Sequence, residues 1–139
     1  MLESILIVDD DFDDAALIKR AVLSLGAKAP VRTVGSSIEL MAFLEGEGQF
    51  ADRGEFPYPG LILLDLRMQG MNGFELLQWL RTEVRHATIP VIVVSSYDRQ
   101  REIRKSYQLG ARTFLSKPVK PEDIRGAIRA LNLTAKFFD

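Results

Sequence analysis

Five short apolar runs, each followed by a polar or glycine-bearing break and then an amphipathic stretch, constrain this chain more than any other feature. Residues 4–8 (Ser-Ile-Leu-Ile-Val) are too few for a helix and uniformly apolar, so they read as a strand buried on both faces. A helix over 12–25 follows, with Ala15, Ile18, Val22 and Leu25 at helical spacing and Gly26 at the C-cap position. Pro30–Val34 is a weaker strand. Ser36 or Ser37 then caps a helix to Leu44, with Leu40, Met41 and Leu44 on one side. The alternation continues with strand Leu61–Asp65 and helix Gly73–Arg85, whose stripe is Phe74, Leu77, Leu80 and Val84. Strand Pro90–Val94, helix Asp98–Tyr107 and strand Arg112–Ser116 come next. Pro121 opens a last helix with Ile124, Ala127, Ile128 and Leu131 inward. Five strands alternating with five helices predict an α/β fold with a parallel sheet covered on both faces.

The pattern occupies nearly all of the 139 residues, which suits one domain. A hydrophobic fraction of 47% and a charged fraction of 27% are those of a globular chain, not a disordered one. The longest aliphatic runs, Leu61–Leu64 and Val91–Val94, are far too short to cross a bilayer, so no membrane association is expected. Met1-Leu2-Glu3-Ser4 lacks the basic start and apolar stretch of a secretory signal, which points to the cytoplasm. Without cysteine there is no disulfide scaffold, thiol nucleophile or thiolate zinc site. The single histidine, His86, argues against a histidine-rich metal centre and reads as a surface residue before the fourth strand. A formal net charge of −1 argues against direct nucleic-acid binding. The charges are unevenly placed, however. Residues 1–14 hold six acids and no base, whereas 99–139 hold ten bases and four acids.

In an open α/β sheet, ligands bind beyond the carboxyl ends of the strands. Strand one ends in Asp9-Asp10, strand three in Asp65, strand four in Ser95-Ser96, and strand five runs into Lys117-Pro118. Three carboxylates at one edge repel unless a cation enters, and hard oxygen ligands with open positions suit Mg²⁺ beside a phosphate. A lysine and a hydroxyl at the same edge are groups that contact phosphoryl oxygens. The set implies Mg²⁺-assisted phosphoryl transfer. Asp65 is the better acceptor, because it stands alone while Asp9 and Asp10 are adjacent and can share a metal; a carboxylate nucleophile would form an acyl phosphate.

With these pieces in order, the sequence resembles the receiver domain of two-component response regulators. The matching segments are ILIVDD (5–10), LILLDLRMQGMNG (61–73), PVIVVSS (90–96) and GARTFLSKP (110–118). The resemblance implies a doubly wound, flavodoxin-like sheet of strand order 2-1-3-4-5. It implies that Asp65 accepts a phosphoryl group from a histidine kinase. Mg²⁺, for which Mn²⁺ can substitute, would be bound by Asp10, Asp65 and the main-chain carbonyl of Arg67, with Asp9 acting through water. Ser95 would be the switch hydroxyl, Ser96 the small residue beside it, Lys117 the phosphoryl partner, and Phe114 the switch aromatic. The Lys117-Pro118 bond would be cis. Two departures stand out: Gln69 replaces the usual proline four residues after Asp65, and Phe114 lacks the hydroxyl of the commoner tyrosine. The long Glu45–Pro59 loop, together with Tyr97–Arg104, is similar to the stand-alone receivers paired with bacterial phytochromes and related sensor kinases.

The expected organisation is a receiver over 1–133, a short tail over 134–139 and no output domain. Such a protein is a phosphoacceptor with self-catalysed transfer and hydrolysis, not an enzyme turning over a small molecule. It would signal by protein contact through helix four, strand five and helix five, and a homodimer is compatible with that face. Two other classes compete: a phosphorylation-independent binding module, and an aspartate-nucleophile phosphatase. The phosphatase normally needs a second carboxylate two residues after the nucleophile, where Arg67 stands. Away from the site, Asp11, Asp13 and Asp14 read as helix-cap and first-turn charges. Arg99, Arg101, Arg104 and Lys105 read as a solvated face of helix four. Trp79 reads as half-buried packing. Glu45–Pro59 reads as a tolerated surface insertion whose Phe50, Phe56 and Tyr58 leave a packed role open. Phe137-Phe138, past the last helix, should pack or bind something.

Overall fold

Every residue of three strands is buried: β1 (Ser4–Val8), β3 (Pro59–Leu64) and β4 (Val91–Ser95). They are the inner strands of a five-stranded parallel sheet in the computed structural model, which describes residues 3–68 and 71–138. The order is β2-β1-β3-β4-β5, with β2 (Val31–Val34) and β5 (Thr113–Ser116) as the partly exposed edges. The strand order and the doubly wound fold match expectation.

Because side chains alternate along a strand, the sheet carries two cores. Ile5, Ile7, Leu61, Leu63, Ile92 and Val94 face α1 (Phe12–Ser24) and α5 (Pro121–Ala130). Leu6, Val8, Ile62, Leu64, Val91 and Val93 face α2 (Ser37–Glu45) and α3 (Gly73–Thr82). Each fully buried aliphatic side chain contributes roughly 1.5–3 kcal/mol, so the central strands supply most of the driving force.

Helix starts are fixed by local polar groups. The Asp11 carboxylate accepts from the Asp14 N–H, the Ser36 hydroxyl from the Glu39 N–H, and Asn72 and Glu75 form a reciprocal capping box on α3. Helix α4 (Gln100–Gln108) begins two residues later than the spacing predicts, with Arg99 as its N-cap. Its inward positions are Glu102 and Ser106 rather than aliphatic residues, while Arg99, Arg101, Arg104 and Lys105 are exposed as expected.

Four expectations are corrected or resolved. Helix α3 stops at Thr82, so Val84 is not in its buried stripe; it is 91% exposed. His86 is not a surface residue but is 1% exposed, enclosed by Tyr58 and Trp79. The Glu45–Pro59 stretch is packed rather than loose. It holds a 3-10 turn (Gly48–Phe50) and a cluster of Phe43, Phe50 and Phe56 with ring centroids 5.0–6.0 Å apart. Within that cluster Arg53 donates to the last carbonyls of α2, Phe43 and Leu44, both at 2.8 Å, serving as a side-chain cap. Finally, the expected tail forms a sixth helix, α6 (Thr134–Phe137), and Phe137 is fully buried against the α1/α5 core. The Gln69 departure lies outside the described residues.

Candidate functional site

The parallel sheet brings Asp9, Asp65, Ser95 and Lys117 to one edge, because each stands at or just past the carboxyl end of its strand. Asp9, Asp10 and Asp65 each offer a carboxylate oxygen within 4.8 Å of the others. Asp9 and Asp65 are buried, while Asp10 is exposed at the mouth. The Asp9 Oδ1 accepts the Asp11 N–H at 2.9 Å, which ties the acid to the cap of α1. Lys117 reaches back over the cluster, donating to Asp9 Oδ2 at 2.8 Å and Asp14 Oδ2 at 2.9 Å, with Asp65 Oδ2 at 3.6 Å. The Lys117-Pro118 bond is cis, as expected.

Burial pushes the Asp9 carboxyl above its ordinary range and the charge of Asp65 adds to the rise, while hydrogen bonds from Lys117 and the Asp11 N–H oppose it. Burial also disfavours the Lys117 ammonium, but hydrogen bonds to Asp9 and Asp14 and the charge of Asp65 outweigh it and hold the lysine above its ordinary value. The two directions are consistent. One cation serves several acids, so the acidic partners of Lys117 outnumber it, while burial remains the first cause of the rise at Asp9. A cluster of hard oxygen donors with excess negative charge fits a small divalent cation.

Residues 5–129 match the response regulator receiver domain family. The chain belongs to that family. It is 33% identical to the two-component response regulator ORR6 of Oryza sativa over 120 residues, covering 86% of this chain and 65% of that relative. This receiver chain thus spans just under two thirds of ORR6. The bacteriophytochrome response regulator RtBRR shares 34% identity and a TM-score of 0.83, covering 94% of this chain and 78% of that one. RPA3017, a response regulator in red light signaling of R. palustris, gives 28% and 0.79, covering 96% and 93%. Receiver domains bind Mg²⁺ or Mn²⁺ at an acidic cluster, and Asp9, Asp10 and Asp65 form such a group in this one. Among the described residues no helix is long and apolar enough to cross a membrane.

Ser95 is fully buried and its hydroxyl accepts the Tyr97 N–H at 3.0 Å. Ser96 is exposed beside Lys117 and Pro118. Phe114, half-buried on β5, packs with the α2/α3 core, in register with Val93. The predicted ligand at position 67 is the main-chain carbonyl; the Arg67 guanidinium lies over the Tyr97 ring at 5.0 Å. Two contributors escaped sequence reasoning. Asp14 was read as a first-turn charge, yet it holds Lys117; the signal available was its position one turn inside a helix that starts at the acidic edge. Gly73 is the other: a Cβ there would sit 2.5 Å from Leu66 Cα and 2.8 Å from the Asp65 carbonyl. The start of α3 therefore presses directly on the backbone of Asp65, and the Gly73 N–H donates to the Leu66 carbonyl at 2.9 Å.

Proposed function

We propose that this receiver domain takes a phosphoryl group on Asp65 from a phosphohistidine protein. The observation that carries the reading is the placement of Lys117 Nζ 2.8 Å from Asp9 and 3.6 Å from Asp65, among three converging carboxylates. An Asp65 carboxylate oxygen attacks phosphorus, the P–N bond to the donor imidazole breaks, and the imidazole nitrogen keeps the electron pair and is neutralised by a proton. Lys117 faces the phosphoryl oxygens and offsets their charge. Asp10, Asp65 and the Arg67 carbonyl would hold the cation directly and Asp9 through water; when bound, Mg²⁺ or Mn²⁺ would neutralise the acids and the transferring group. Later attack by water on phosphorus returns the free carboxylate and releases phosphate.

Phosphorylation adds charge next to two groups already on hand. The Ser95 hydroxyl, now accepting from Tyr97, turns its proton toward the phosphoryl group, and Phe114 repacks on the α2/α3 core. The result favours a partner-binding population of the same fold. The exposed bases of α4, with β5 and α5, form the face offered to a downstream protein or a second copy. The donor kinase would approach the acidic edge itself. There α1 exposes Phe12 and Leu17, and a groove of about 720 Å³ runs between α1 and Pro118-Val119. Similarity to RtBRR and RPA3017 supports a phytochrome-like kinase as that donor; a cytoplasmic setting is part of the same proposal.

The test is labelling from a phosphorylated histidine kinase or acetyl phosphate with Mg²⁺. Asp65→Asn is expected to abolish it. Persistent labelling of that variant would move the acceptor elsewhere, and unlabelled wild type that also fails to respond to beryllofluoride would favour a phosphorylation-independent binding module.

A further inference from the structure

Lys117 has three ammonium donors, and the structure assigns two of them. One goes to Asp9 and one to Asp14, both at charge-assisted hydrogen-bond length. Asp65, at 3.6 Å, lies beyond that length although its carboxylate is buried and on the same edge. The difference traces to α1. The Asp11 carboxylate caps the helix by accepting the Asp14 N–H at 2.9 Å, which fixes the Asp14 backbone one turn inside the helix. From there the Asp14 carboxylate, with its side chain 39% exposed, reaches the largely buried ammonium.

We propose that Asp14 is a positioning residue for phosphoryl transfer: it holds one Lys117 donor on the α1 side and so keeps the ammonium close to Asp65 without closing a hydrogen bond on it. The inference rests on Asp65 being the phosphoacceptor. An attacking carboxylate oxygen needs a free lone pair, and a full charge-assisted bond from lysine would stabilise the ground state of that nucleophile. The same bond would compete with a divalent cation for Asp65. With Asp14 in place, the third donor of Lys117 stays available for a phosphoryl oxygen when one arrives. Without Asp14, the released donor turns to Asp65, the nearest unbonded carboxylate.

The experiment uses the full chain as wild type, Asp14→Asn, Lys117→Gln and the double variant. Mg²⁺ affinity is read by calorimetric titration and the phosphorylation rate with acetyl phosphate. Asp14 is partly exposed, so Asp14→Asn is expected to fold, and its melting temperature confirms it. Asp14→Asn should weaken Mg²⁺ binding and slow phosphorylation, each by roughly three- to tenfold. In the Lys117→Gln background the same substitution should change Mg²⁺ affinity little, because the group it acts through is gone. Equal weakening in both backgrounds would reduce Asp14 to a simple negative charge and overturn the proposal, as would no effect in either. If wild type takes up no phosphoryl group while the Mg²⁺ effect still depends on Lys117, the phosphoacceptor reading fails and the positioning of Lys117 stands.

Discussion

At the carboxyl edge of the sheet, one ammonium is shared among Asp9, Asp14 and Asp65. At the opposite edge the ratio is inverted, and one acid serves two nitrogenous groups. Glu45 accepts from Arg85 at 2.6 Å and from His86 Nε2 at 3.1 Å, while His86 Nδ1 lies 2.5 Å from the Tyr58 hydroxyl. Tyr58 also bonds the Arg85 carbonyl at 2.9 Å, and the imidazole lies against the Tyr58 and Trp79 rings with centroids 5.7 and 5.8 Å away. An ionised Glu45 requires the proton of His86 on Nε2. The two edges therefore show what a buried polar cluster looks like when it is built to stay closed and when it is built to admit a ligand. Around His86 both ring nitrogens have a partner. Around Asp65 there is more negative charge than the lysine can offset.

That contrast is broken most strongly at His86. Replacing it by alanine removes a buried ring between two aromatics and leaves the Glu45 and Tyr58 groups to find other partners. His86→Ala should lower unfolding free energy by about 3 kcal/mol, seen as an earlier urea midpoint. Mg²⁺ affinity of the folded fraction should not change. A large change would mean that the two edges are energetically coupled.

The open edge should respond in the opposite sense. Asp9 has a raised folded value, so its ionised form opposes folding; that opposition grows as pH rises from the ordinary value of 3.8 through the raised one and then stays constant. Asp9→Asn should therefore leave the metal-free protein as stable or up to about 1 kcal/mol more stable. Mg²⁺ at ten times its dissociation constant should stabilise wild type by about 1.4 kcal/mol. The same addition should stabilise Asp9→Asn less. Equal Mg²⁺ stabilisation of the two proteins would show that Asp9 is not part of the cation site.

The open edge was far more legible in the sequence than the closed one. β1 spans Ser4–Val8, as its apolar run indicates, and a parallel sheet by itself gathers the residues that follow β1, β3 and β5. Asp9, Asp65 and Lys117 needed no further information, because topology does the gathering. His86 did. Its burial depends on Tyr58 and Glu45, 28 and 41 residues away, and no periodicity encodes that meeting. Val84 failed for a related reason. The apolar spacing of α3 continues past Thr82, but the chain leaves the helix there and then passes through His86 on its way to β4. Asp14 lies between these cases: its helix was legible, and its bond to Lys117, 103 residues on, was not.

The smallest expected effect also bears on the closed edge. Hydrogen bonds from Arg85 and then His86 hold the Glu45 carboxyl below its ordinary value near 4.5. An acid with a lowered folded value contributes stability that is complete above the ordinary value and is lost as pH falls through the lowered one. Glutamine at position 45 keeps a carbonyl that can accept from both partners but carries no charge. Glu45→Gln should therefore differ little from wild type at neutral pH in high salt, where exposed charge is screened. In low salt wild type should be the more stable at neutral pH, and the gap should narrow as acid is added below about pH 4.5. Circular dichroism melts across that range decide the matter. Parallel stability curves would mean that the Glu45 charge contributes nothing, and that ring packing with neutral hydrogen bonds alone closes this edge.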